Sequence, residues 1–126
     1  MGKAKIFWTV IRYLMAAFMV YGGVQHFLNT DFYNPFVPAF LPFKAAVIYI
    51  SGVIEIAIGL LLLANKTAGI GSLLLLLLML AFLPTHIWDV FSSTPAIGSH
   101  EAALVRLPVQ LVFIGISWKL KNVFYK

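Results

Sequence analysis

Four long apolar segments alternate with short connections along the chain. They cover approximately residues 6–28, 43–64, 67–90 and 102–123. A helix of roughly 20 apolar residues spans a hydrocarbon core, so each segment is long enough to cross a bilayer. Backbone polar groups in lipid must be paired within the protein, and segments of this length fit helices and not the shorter strands of a barrel. The pattern therefore predicts an all-α four-helix bundle that forms a single transmembrane domain over residues 1–126.

The connection between the first two segments differs from an ordinary membrane loop. Residues 21–42 read YGGVQHFLNTDFYNPFVPAFLP, so aromatic residues and prolines stand where a short polar loop is usual. The aromatic residues and prolines in question are Phe32, Tyr33, Phe36, Phe40, Pro35, Pro38 and Pro42. We expect this loop to lie in the membrane interface and to cover polar side chains.

Composition supports lipid as the surrounding medium. The chain is 62% hydrophobic and 10% charged, whereas soluble domains are about 45–50% apolar and about 25% charged. The net charge of +5 does not indicate nucleic acid, because the basic residues are spread among the segment ends and do not cluster. Without cysteine the chain has no disulfide, dithiol or iron–sulfur chemistry.

The distribution of basic residues predicts the orientation in the membrane. One side of the predicted bundle carries Lys3, Lys5, Arg12, Lys66, Lys119, Lys121 and Lys126. By the positive-inside rule, both termini and the turn after the second segment are cytoplasmic, in a bacterial inner membrane. We expect the first segment to be retained as a helix, because no small-residue cleavage site follows its basic start.

Six polar residues inside the apolar segments are candidates for a ligand site. They are Gln25, His26, Glu55, His86, Arg106 and Gln110. With a rise of about 1.5 Å per residue, they lie in the outer half of the bilayer or near its midplane. We therefore expect a polar pocket in the outer half, under the aromatic loop.

Glu55 and Arg106 are the two ionisable residues expected deep in the membrane core, and they have opposite charges. An uncompensated charge at the bilayer centre costs at least about 2.5–3.5 kcal/mol on insertion scales. We expect these two residues to form a buried ion pair. The pair could simply fix the second helix against the fourth, or it could line a ligand or proton site.

The two histidines at similar depth, His26 and His86, allow several roles. They could hydrogen-bond backbone carbonyls, transfer protons or donate to a quinone-like carbonyl, since the unperturbed imidazole pKa lies near 6.5. Paired ligation of a haem is disfavoured because no metal-ligand spacing accompanies them, and no metal site is predicted. Asp89 could cap a helix or pair with His86.

Other positions predict local structure. Ser99 is the expected N-cap of the fourth helix, and Gly52 with Gly59 forms a small-residue seam one heptad apart. The leucine-rich run at 73–80 has no helical period and is expected to face lipid. Small residues that would admit a partner helix lie just before this run, at Gly69, Gly71 and Ser72.

Four motifs, taken in order, resemble the DoxX and DoxX-like membrane proteins. They are Gly-x-x-His-Phe at 23–27, Val-Pro-x-Phe-Leu-Pro at 37–42, Tyr-x-Ser-Gly-x-x-Glu-x-x-x-Gly at 49–59 and Arg-Leu-Pro-x-Gln at 106–110. The resemblance extends over essentially the whole chain. It implies a four-helix inner-membrane protein, and the family is named after a subunit of an archaeal thiosulfate:quinone oxidoreductase.

The resemblance and the polar residues favour a membrane subunit of a quinone-linked oxidoreductase system, with quinone as its possible cofactor. The alternative is a non-catalytic accessory or stabilising subunit of a larger membrane complex. Other membrane subunits are expected partners in both cases, besides the bilayer itself. A transporter ranks last, because no polar pathway continues into the cytoplasmic half. Neither the residues nor the resemblance assigns a catalytic activity to the chain.

Overall fold

Long helices account for most of the chain. The computed structural model describes residues 2–37 and 40–125. In chain order these residues form α1 (Lys3–Leu28), α2 (Thr30–Tyr33), a 3-10 helix (Asn34–Phe36), α3 (Lys44–Leu63), α4 (Ala68–Phe91) and α5 (His100–Phe124). The predicted all-α bundle of four long apolar helices is confirmed. By length and composition each of the four can cross a membrane, which makes this a multi-pass membrane protein.

The four long helices pack as two hairpins. α1 lies along α3 in the first hairpin, and α4 lies along α5 in the second. α3 joins the two hairpins by packing on α4, whereas α1 and α5 touch at only a few positions. The bundle is therefore closed on its α3–α4 side and loosely closed on its α1–α5 side.

Glycines bring the two helices of the first hairpin into close contact. A Cβ added to Gly52 would lie 2.8 Å from the Cβ of His26 and 2.9 Å from the carbonyl oxygen of Gly23. One added to Gly59 would lie 2.9 Å from the carbonyl oxygen of Ala16. The predicted small-residue seam is thus confirmed. Lipid gives no hydrophobic drive between helices, so close backbone approach of this kind holds them together.

The half of the bundle near the chain termini has a packed apolar core. Its buried members are Met15, Ala16, Met19, Ile58, Leu62, Leu75, Met79 and Leu120. These side chains come from all four long helices. This half therefore contributes the apolar packing that holds the two hairpins together.

Arg12 is buried at the edge of this core, with 1% of its surface exposed. Its Nη2 donates to Oδ1 of Asn65 in the α3–α4 turn at 2.9 Å, and its guanidinium lies 4.6 Å from the ring centre of Phe124. Charge distribution alone placed Arg12 among the flanking basic residues. The structure shows that it also connects α1 to the turn and to the end of α5.

Two expectations about α4 are wrong. The run at 73–80 does not face lipid as a whole, because Leu75 and Met79 are buried in the core. The small residues before it do not form a free surface either. A Cβ on Gly69 would lie 2.6 Å from the carbonyl oxygen of Phe124, and Ser72 is fully buried. Leucines in an unbroken run conceal which face of a helix is buried, whereas packing reveals it.

The start of α5 agrees with its sequence. Ser99 precedes the helix, and its hydroxyl accepts from the backbone N–H of Ala102 at 3.1 Å. The predicted N-cap is confirmed. It satisfies one of the N–H groups that a helix start leaves without a partner.

Candidate functional site

A cavity lies between the two hairpins, in the half of the bundle away from the termini. Its volume is about 470 Å³, with Phe18, Met19, Phe82 and Phe113 among its apolar lining residues. Ligand sites usually enclose about 300–1,000 Å³ and combine apolar walls with a few polar groups. The cavity therefore has the size and lining of a small-molecule site.

The structure brings five of the six candidate residues to this cavity. His26 and Glu55 line it from the first hairpin, and His86, Arg106 and Gln110 line it from the second. Gln25 is the exception, because it is absent from the lining and its side chain hydrogen-bonds with that of Asn29 one turn later.

Glu55 and His26 meet inside the first hairpin. Nδ1 of His26 lies 3.0 Å from Oε2 of Glu55, and each residue is only 8% exposed. The two atoms are close without hydrogen-bond alignment, so Nδ1 of His26 is buried with no hydrogen bond. Glu55 fits here because α1 has Gly22 opposite it, where a Cβ would lie 3.1 Å from Oε1.

The aromatic connection covers the cavity by touching both hairpins. The ring of Tyr33 lies 4.1 Å from the ring of His26 between centres. The ring of Phe36 lies 4.8 Å from the Arg106 guanidinium on α5. The loop therefore contacts His26 on the first hairpin and Arg106 on the second. One of its predicted members, Pro38, lies outside the described residues.

Tyr33 adds a polar group that the sequence reasoning did not single out for the site. Burial raises the pKa of its phenol, and the nearby negative charges of Glu55 and then Tyr21 raise it further. Tyr33 therefore stays protonated and can donate a hydrogen bond into the cavity, which it lines.

Arg106 is the centre of a polar chain in the second hairpin. Its Nη1 donates to Oδ2 of Asp89 at 3.2 Å, and its Nη2 lies 2.9 Å from Nε2 of His86. Nδ1 of His86 lies 2.8 Å from the carbonyl oxygen of Phe82. Since a carbonyl can only accept, the network assigns the proton to Nδ1, and Nε2 accepts from Arg106.

Asp89 is the most enclosed member of this chain, at 3% exposure. Its carboxylate also accepts from the backbone N–H groups of Ala96 at 2.5 Å and Ile97 at 3.3 Å. These bonds fix the loop between α4 and α5. Asp89 lies three residues after His86, and residues three apart share a helix face. This spacing is the sequence feature that could have predicted Asp89 as a member of the cluster.

The predicted ion pair between Glu55 and Arg106 is wrong. Glu55 has His26 as its partner, and Arg106 has Asp89. The reason is the packing of the bundle: α3 lies along α1, and α5 lies along α4. Each of these side chains therefore has its partner inside its own hairpin, and the cavity separates the two pairs.

Gln110 holds α5 to α4 deeper in the bundle. Its Nε2 donates to the carbonyl oxygen of Met79 at 2.7 Å, and the residue is 5% exposed. Met79 precedes Leu80, whose carbonyl loses its helical donor to Pro84. The amide thus binds backbone next to the point where the proline interrupts the hydrogen bonds of α4.

The described residues contain no group of three His, Asp or Glu side chains placed to hold a metal ion. His86 uses both ring nitrogens within the second hairpin. It could bind iron only by giving up a hydrogen bond.

The fold and the cavity together define a class of protein: a multi-pass membrane protein with a ligand-sized cavity between two helical hairpins. The chain belongs to the family described as "Domain of unknown function (DUF8561)", which matches residues 15–121. Comparison with curated proteins found no match, and comparison with solved structures found none either. The family description assigns no activity, so a function must be argued from the cavity.

Proposed function

We propose that this protein is a DoxX-like membrane subunit of a quinone-linked oxidoreductase system and binds a quinone headgroup in the cavity. The observation that carries this proposal is the placement of polar groups on two opposite walls of a cavity that is otherwise apolar. His26 and Tyr33 lie on one side, and Arg106 lies on the other. The resemblance of four sequence motifs to DoxX proteins supports the same function.

A quinone matches these walls by its chemistry. Its ring is flat and apolar, and its two carbonyl oxygens point in opposite directions and only accept hydrogen bonds. Arg106 and the neutral phenol of Tyr33 supply donors. The buried His26–Glu55 pair lines the same cavity and could give a proton to a quinone as it is reduced, or take one from a quinol as it is oxidised. Intramembrane carboxylates and histidines form such proton relays in other membrane proteins. A redox partner would supply the electrons, because the chain has no cysteine for dithiol or iron–sulfur chemistry.

The charge distribution supports an orientation with both termini in the cytoplasm of a bacterial cell. The cavity would then lie in the outer half of the inner membrane. Reporter fusions test this orientation directly. A fusion after Tyr125 should be active only as a cytoplasmic reporter, and an insertion at Gly98 in the α4–α5 loop only as an external one. The opposite result would exclude the proposed orientation.

The first experiment on function is mass spectrometry of the lipid-soluble molecules that remain on the protein in mild detergent, with a visible spectrum. We expect a quinone at close to one per chain and no haem band. His26→Ala should lose the quinone, because it removes a side chain of the cavity wall. His100→Ala is the matched control, since His100 is exposed and does not line the cavity. Only ordinary phospholipid on the wild-type protein would contradict the proposal.

The accessory-subunit alternative predicts a different outcome. In that case mild extraction should yield a stoichiometric partner protein and an empty or lipid-filled cavity. The structure removes one argument for it, because the small residues expected to receive a partner helix are packed inside the bundle.

A further inference from the structure

We infer that the ligand carries a single apolar tail, which leaves the cavity sideways between α1 and α5 into the bilayer. This inference rests on the proposed function and adds the class of ligand: a compact carbonyl headgroup on a hydrocarbon chain. The inference depends on where the cavity opens. The exposure of the lining residues shows the position of this opening.

Three of the described residues that line the cavity are exposed, and none of the three lies on α3 or α4. Phe18 on α1 is 51% exposed, Phe32 on α2 is 54% exposed, and Val109 on α5 is 44% exposed. The lining residues of α3 and α4 are buried or half-buried. The mouth of the cavity therefore lies between α1 and α5, which are neighbours that touch at only a few positions.

The mouth is bounded at both ends. Toward the termini, the rings of Phe18 and Phe113 meet across the gap with centres 5.2 Å apart. Toward the loop side, Phe36 lies against Arg106. Between these contacts the opening is a slot with apolar edges. Because α1 and α5 are membrane-spanning, the slot faces lipid and not water.

The polar and apolar parts of the site fit an amphiphile in one orientation. A headgroup that bonds Arg106 or Tyr33 occupies the loop end of the cavity, so its tail must leave through the slot beside Phe18 and Val109. Lipid tails are as apolar as leucine, so the tail gains little affinity by moving from lipid into the slot. The slot gives the tail an exit and so allows a tailed ligand to bind. It does not raise the affinity of that ligand above that of the headgroup alone.

This distinction sets the experiment. Wild-type protein in nanodiscs is titrated with a decyl-substituted benzoquinone and with the same benzoquinone without the chain, each referred to its concentration in the membrane. Both ligands should bind with similar affinity. Val109→Trp should weaken the tailed ligand by about tenfold or more, because an overpacked slot leaves no exit. The tail-less ligand should bind Val109→Trp as well as it binds wild type.

Val112→Trp is the matched control, since Val112 is exposed on the same helix and does not line the cavity. It should change neither affinity. Retained binding of the tail-less ligand shows that Val109→Trp is folded. If that variant binds neither ligand, Val109→Leu takes its place, with a smaller loss for the tailed ligand alone.

The outcomes separate the inference from the proposed function. If wild type binds neither ligand, the quinone site itself is wrong. Wild type could bind both ligands while the Val109 variants leave both affinities unchanged or lower both equally. In that case the headgroup site stands, and the tail does not leave through this slot. A tail-less ligand that binds while the tailed one is excluded from wild type would likewise overturn the inference.

Discussion

Removing the charge of Asp89 should test the pairing of charges more sharply than removing any other group. In the structure Asp89 is the partner of Arg106, and Glu55 is the partner of His26. We consider Asp89→Asn, Glu55→Gln and Arg106→Gln, alone and in the two combinations that contain Arg106→Gln. Asparagine keeps an oxygen that can accept from the backbone N–H of Ala96, so the change acts mainly on the charge.

The expected magnitude follows from the burial of the pair. The Asp89 side chain is 4% exposed and the Arg106 side chain 26%. A hydrogen bond to a charged group contributes about 1.5–3 kcal/mol, and removing one partner of a buried pair costs about 3–5 kcal/mol. Since this pair is not fully enclosed, Asp89→Asn should lower the free energy of unfolding by about 2–4 kcal/mol. The coupling energy between Asp89 and Arg106 should be about 1.5–3 kcal/mol.

The assay is unfolding in mixed micelles of a mild and a denaturing detergent, followed by circular dichroism. Glu55→Gln and Arg106→Gln should be additive within about 0.5 kcal/mol, because the cavity separates the two residues and each has another partner. A coupling energy between Glu55 and Arg106 as large as that between Asp89 and Arg106 would refute the pairing described here. It would favour an ion pair across the cavity instead.

Two further variants test contacts outside the polar cluster. Gly52→Ala would place a methyl group 2.8 Å from the Cβ of His26, so it should destabilise the bundle by about 1–3 kcal/mol; Gly115→Ala, which meets nothing within 4 Å, is the control. The melting temperature in detergent decides, and equal effects would contradict the close packing of the seam. Arg12→Gln should destabilise by about 1.5–3 kcal/mol through loss of its charged hydrogen bond, whereas the exposed Lys119→Gln should have little effect; equal melting temperatures for these two variants would exclude the structural role of Arg12.

The bundle could be predicted from the sequence because lipid imposes simple requirements on a chain. Apolar segments of spanning length must be helices, and this requirement alone predicts the four long elements. The N-cap at Ser99 and the seam at Gly52 could be predicted for a similar reason. Each depends on local geometry that one or two residues determine.

The partners of the polar residues could not be predicted in this way. Opposite charge and similar depth favoured Glu55 with Arg106, but these criteria do not include which helices pack together. Arg12 shows the same difficulty: counted as a flanking charge, it is buried against Asn65. Depth is a property of one helix, whereas partnership depends on helix order and rotation. A run without a helical period of apolar and polar residues, such as 73–80, does not indicate how its helix is rotated in the bundle.

The arrangement of charges explains how the cavity can exist in a membrane protein. Had Glu55 bonded Arg106, the ion pair would have crossed the cavity between the hairpins. Because each charged side chain has its partner within its own hairpin, neither hairpin needs the other to bury these polar groups. The apolar core of the other half holds the hairpins together, and a cavity lies between the polar pairs. A molecule that bonds both walls would add contacts between the hairpins that the protein alone lacks, so binding should raise the stability of the bundle.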